Sequence, residues 1–244
     1  MRKTFLALAA LLVAAAASAQ DVTVLVDGAE RPEYFGNGTT YVEALRGRNY
    51  SLRITNPTSS RVAVALSVDG LNTIDARHTN GWNASKWVLD PYESAVIEGW
   101  QVSDSTARRF MFTGERSSYG AALGKTENLG VIEAIFYRER AFEREVDRRR
   151  SQPPAAAKPR SDAEQGVEGG VLSEDYAATG MGGRTTHEVT TVHLDLDPTP
   201  IGSVRIRYEF RPQLVKLGIL DPSPSPLERR EKAQGFKRYC PEVN

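Results

Sequence analysis

The chain has 244 residues, and its 31 Lys and Arg balance its 31 Asp and Glu. That balance excludes a protein built around whole-chain attraction to polyanions, so no nucleic-acid partner is expected. The single cysteine, Cys240, excludes an intrachain disulfide framework, and a chain of this length buries enough surface to fold without one.

Residues 1–19 read as an export signal. Arg2 and Lys3 supply positive charge, Phe5 to Ala17 is an unbroken apolar run, and Ala17-Ser18-Ala19 offers small residues for cleavage. The run is shorter than the roughly 20 residues that a spanning helix needs. The expected mature chain starts at Gln20, lies in the periplasm or outside the cell, and has no transmembrane span.

From Val22 to Tyr137 the side chains alternate. Val22, Val24 and Val26 form one set, and Tyr50, Leu52 and Ile54 a second. Val62, Val64, Leu66 and Val68 alternate with the small Ala63 and Ala65, which predicts a strand covered on both faces. Asp69-Gly70 ends that strand with a dipeptide suited to positive φ. Trp87–Leu89, Ala95–Val102, Arg108–Phe112 and Leu129–Tyr137 complete a set of short, turn-punctuated strands, as in a sandwich or barrel.

Residues 138–180 change character. Arg138 to Arg150 is nearly all charge and fits a short solvated helix. Ser151 to Gly170 is rich in Pro, Ala and Gly, the composition of a disordered linker. Gly180-Met-Gly-Gly183 precedes a strand, where a phosphate loop would need a helix N-terminus, so it reads as a flexible approach to the next strand.

Residues 181–222 form a second ordered block. His187 to Leu196 alternates, Asp197-Pro-Thr-Pro200 reads as a connection, and Val204, Ile206, Tyr208 and Phe210 point one way. Ser203, Arg205, Arg207 and Glu209 point the other way. The expectation is a hairpin from Thr185 to Arg211 whose apolar face docks on the first block, because an isolated hairpin is only marginally stable. Residues 223–244 read as a charged tail.

Two groups of segments carry a resemblance. The first runs from Arg61 to Asp75, with Ile97-Glu-Gly-Trp100, Arg109-Phe110 and Leu129-Gly-Val-Ile132. The second joins Ala178-Thr-Gly-Met-Gly182 to Leu194–Pro200 and Ser203–Tyr208. Together they resemble a group of exported bacterial β-rich proteins with no assigned activity. The resemblance implies an envelope or secreted location and carries over no functional residue.

Candidate chemistry is sparse. The loop after the Arg61–Val68 strand holds Asp69, Asn72, Asp75, Arg77 and His78, a set of binding candidates in a position where scaffolds often carry function. Its oxygen ligands do not have the spacing of a calcium loop. Trp82 lies in a polar stretch and is expected to be exposed, whereas Trp87 and Trp100 alternate into the core. His193 and Asp195 would reach a shared metal only with His78 brought across from the first block. No nucleophile elbow, Ser-x-x-Lys set or His-Glu-x-x-His is present. No catalytic residue, metal site or cofactor is therefore assigned.

The resulting expectation is a mainly β protein. Residues 20–137 form a β-sandwich, and a C-terminal β-hairpin is added across a flexible linker. The expected function is a non-catalytic binding or structural protein of the bacterial envelope, with an envelope protein or a glycan as partner. A carbohydrate-binding module or carbohydrate-active enzyme and a metal-dependent enzyme are the alternatives.

Overall fold

The computed structural model describes residues 21–140 and 175–222. The expected signal peptide, the charged segment beyond residue 140, the linker up to residue 174, the tail and Cys240 lie outside these residues. The elements are β1 (Asp21–Val26), β2 (Ala29–Glu30), β3 (Glu33–Gly36), β4 (Thr39–Ala44), β5 (Asn49–Thr55), β6 (Val62–Val68) and β7 (Leu71–Asn72). They continue with β8 (Trp87–Leu89), β9 (Ser94–Ile97), β10 (Gly99–Ser103), β11 (Thr106–Gly114), α1 (Tyr119–Ala122) and β12 (Val131–Glu139). Beyond residue 174 come β13 (Ala177–Thr186), β14 (Leu196–Phe210) and α2 (Arg211–Lys216).

The alternation read from the sequence builds a β-sandwich. One sheet contains β1, β2, β5, β9, β10, β11 and β13. The other runs β3-β4-β14-β12-β6-β7, with β8 also on β6. Their inner faces supply one core, in which Trp100, Tyr208, Phe110, Phe112 and Phe136 are the largest fully buried side chains. Burying each such side chain contributes roughly 1.5–3 kcal/mol. Ala63 and Ala65 are buried as well, so β6 is covered on both faces as expected.

Three tight turns set the local register. Asp27-Gly28, Asn37-Gly38 and Asp69-Gly70 each place both residues at positive φ, between 50° and 78°. That is the two-residue hairpin turn whose twist matches the strands it joins. Asn37-Gly38 joins β3 to β4, a pair absent from the strands read in the sequence.

The second block does dock on the first, but its two strands do not form a hairpin with each other. β13 pairs with β11 in one sheet. β14 lies between β12, antiparallel, and β4, parallel, in the other. Residues 187–195, read as a strand, form the crossing between the sheets and leave Val192 exposed. Their alternation lacks a face apolar enough to bury, and the chain must cover the ~10 Å between sheets here. Asp197-Pro-Thr-Pro200 is the start of β14 and not a turn. Proline offers no ladder donor, and β12 accommodates it with register shifts at Tyr137.

The segment Ala177–Gly183, read as linker and flexible approach, belongs to β13. Ala177, Ala178 and Thr179 are fully buried. Its glycines serve close packing: a Cβ on Gly182 would lie 2.6 Å from Asn49 Oδ1 and 3.1 Å from the Arg109 carbonyl oxygen.

Candidate functional site

The outer face of the β14 sheet is only partly solvated, because the segment between β7 and β8 lies across it. Asn72 organises that segment. Its Nδ2 donates to the Ser85 carbonyl at 2.8 Å, and its Oδ1 accepts from the Ile74 amide at 2.8 Å. Asp75 closes the loop by accepting from the Arg77 amide at 3.0 Å and the Ser85 hydroxyl at 2.8 Å. Trp87 Nε1 donates to Thr73 Oγ1 at 2.8 Å, anchoring the far end. Gly81 lets the loop touch the sheet, since a Cβ there would meet Ile135 Cδ1 at 2.6 Å.

Loop and sheet enclose an open groove of about 580 Å³. That volume is in the range of small-molecule sites. The floor carries Arg205 and Arg207 of β14, Glu133 and Ile135 of β12, Ser67 of β6 and Tyr41 of β4, and the loop contributes Arg77 and His78. Arg205 reaches Glu133, its direct cross-strand partner, through Nη2 at 2.7 Å and Nε at 3.2 Å. Arg207 stands in register with Tyr41 and Val131. Among the described residues no carboxylate lies within ion-pair distance of Arg207 or Arg77. His78 Nδ1 is 2.9 Å from the Gly70 carbonyl oxygen and so is held against the turn.

At one end Trp82 is 43% exposed and meets Tyr137 edge-on at 5.4 Å. Lys86 Nζ sits 5.5 Å and 5.2 Å from the two ring centroids and donates to the Ala84 carbonyl at 2.8 Å. Partial burial lowers the Lys86 pKa. Trp100 is 2% exposed and belongs to the core, and Trp87 is half-buried against it.

The six sequence candidates therefore separate. Arg77, His78 and Asn72 line the groove, Trp82 stands at its end, and Asp75 holds the loop's shape. Asp69 is different: it belongs to the β6–β7 turn itself and is buried there. Its Oδ1 accepts from the Gly130 amide at 2.8 Å and from the Tyr208 hydroxyl, and its Oδ2 accepts from the Thr179 amide at 2.7 Å. Thr179 Oγ1 is 2.6 Å from both the Tyr208 and Tyr50 hydroxyls. A directed chain Tyr50 to Thr179 to Tyr208 to Asp69 satisfies every hydroxyl and joins both sheets. Burial pushes the Asp69 carboxyl up to about 6, against the lowering effect of the Tyr208 hydroxyl and the backbone amides. Burial, then the Asp69 charge, raises both tyrosines well above their ordinary value.

His78, His193 and Asp195 are not brought together as a metal set. Among the described residues no group of three His, Cys, Asp or Glu has metal-holding geometry, and Asp195 Oδ1 accepts from Arg140 at 3.3 Å. Arg205, Arg207, Glu133 and Tyr41 are not among the sequence candidates. The outward set Ser203, Arg205, Arg207 and Glu209 is legible in the alternation, but the loop that turns this face into a groove is not.

No family model matches the chain, no curated protein matches it, and no solved structure matches it.

Proposed function

We propose that the chain is an exported, non-catalytic binding protein of the bacterial envelope, of a kind with the exported β-rich group it resembles, and that its binding surface is the groove on the β14 sheet. The leader supports export. The observation that carries the binding role is the groove itself: a hydrogen-bonded loop laid across a sheet face, with the guanidinium groups of Arg207 and Arg77 on its lining and, among the described residues, no carboxylate within ion-pair distance of either. The partner class is an envelope protein presenting carboxylate or other acceptor groups. Cells producing the full chain should yield a mature protein beginning at Gln20 in the periplasmic fraction or the medium. A photo-crosslinking residue at Thr79, on the groove wall, should give one discrete adduct that Arg207→Glu abolishes. The same residue at Arg53, on the other sheet, should give none. Equal adducts from both positions, or none from Thr79, would end this reading.

A glycan is the second reading, and the exposed Trp82 beside Tyr137 favours it, because aromatic faces stack on sugar rings. Retention on an envelope polysaccharide that Trp82→Ala removes would select it over a protein partner.

A further inference from the structure

A second set of donors lacks partners on the other sheet. Trp100 of β10 stands directly opposite Arg108 of β11, and Arg108 stands directly opposite Arg184 of β13. Opposed residues of antiparallel strands share a face with Cβ atoms about 4.5–5.5 Å apart. Trp100 belongs to the core, so this row lies on the inner face of its sheet, at the core's margin. Arg108 Nε and Trp100 Nε1 are both closed to solvent and donate to no acceptor. Among the described residues neither Arg108 nor Arg184 has a carboxylate within ion-pair distance. The neighbouring Arg109, on the opposite face, has Glu98 at 3.7 Å.

Two arginines directly opposed across a strand pair repel, and buried donors without acceptors are rare in native folds. The repulsion and the unpaired Arg108 Nε are both relieved by one thing, an oxyanion supplied from outside. An open groove of about 480 Å³ runs beside the pair, and Val102, which is 57% exposed, and Met181 form its apolar wall. Guanidinium groups recognise carboxylate and phosphate alike through paired N–H donors.

We propose that this is a second binding site, independent of the β14 groove, for an amphipathic anion. The carboxylate or phosphate head lies between Arg108 and Arg184, and the aliphatic portion lies along Val102 and Met181. The two head groups share one chemistry.

The test is calorimetric titration of the full chain with decanoate, octyl phosphate, inorganic phosphate and octyl glucoside, each below its micelle concentration. At least one alkyl anion should bind ten-fold or more tightly than octyl glucoside and than inorganic phosphate, and the tighter of the two identifies the head group. Arg184 is exposed, so Arg184→Gln leaves the core intact. It should weaken the alkyl anion at least ten-fold and, by removing the repulsion, raise the Tm of the ligand-free protein. Alkyl anions that bind no better than octyl glucoside would overturn the proposal. So would an Arg184→Gln protein of unchanged affinity. Inorganic phosphate binding as tightly as octyl phosphate would overturn the role of the apolar wall.

Discussion

The two faces of β14 do different work. Inward, Ile206, Tyr208 and Phe210 are buried, and Tyr208 ties β14 to Asp69 and Thr179. Outward, Arg205 and Arg207 floor the groove. Because strand side chains alternate, one segment supplies a core and a surface with no residue serving both. The same strand fills the gap between β4 and β12, so without it one sheet falls into two pieces. Substitutions on the inward face should therefore cost stability, and those on the outward face should cost binding.

The largest effect is expected at Asp69. Asp69→Ala leaves the Gly130 amide, the Thr179 amide and the Tyr208 hydroxyl buried without their acceptor. At about 1–3 kcal/mol for each orphan, the loss should be on the order of 3 to 9 kcal/mol in urea unfolding. A loss under 1 kcal/mol would mean that the network does not hold the sheets together. Ile206→Ala should come second at about 2–5 kcal/mol, the range for an aliphatic truncation in a packed core.

The pH dependence comes next. The folded state holds the Asp69 proton more tightly than the unfolded chain does, with a pKa of about 6 against 3.8. The stability this group contributes is therefore present below about pH 4 and is lost as pH rises through 6, by an amount on the order of 3 kcal/mol. Subtracting the pH–stability curve of Asp69→Asn from that of the native chain isolates the effect. A difference that is flat, or that rises between pH 4 and 6, would contradict it. Last, Arg207→Ala should change stability by no more than about 0.5 kcal/mol, as surface substitutions do, while it removes the Thr79 adduct. A large loss of stability would mean that the outward face is structural.

Much of this division is readable in the residues. Val204 to Phe210 announces its two faces, and Asp69-Gly70 announces a positive-φ turn. Asn37-Gly38 carries an equally strong hairpin signal, yet β3 and β4 escape a reading by alternation because their segments, Glu33–Gly36 and Thr39–Ala44, mix polar and apolar residues. Partner choice is beyond local reading. Alternation says that Ile206 faces a core, but which strands flank it depends on distant chain: its partner in β12 is Ile132 and its partner in β4, which joins it in parallel, is Thr40. The glycines of β13 mislead for a related reason: glycine weakens a strand in isolation, and only the close neighbours at Asn49 and Arg109 explain it there. The groove needs both kinds of knowledge, the sheet face and the loop that Asn72 folds over it.

Hydrogen exchange tests the central placement of β14 most directly. If β14 lies between β4 and β12, the amides of Ile206–Phe210 should be among the slowest in the protein, exchanging with those of β6 and β12 only through global unfolding. If they exchange as fast as the crossing residues 187–195, β14 is a loose cover on the sandwich, and the groove built on its outer face has no rigid floor.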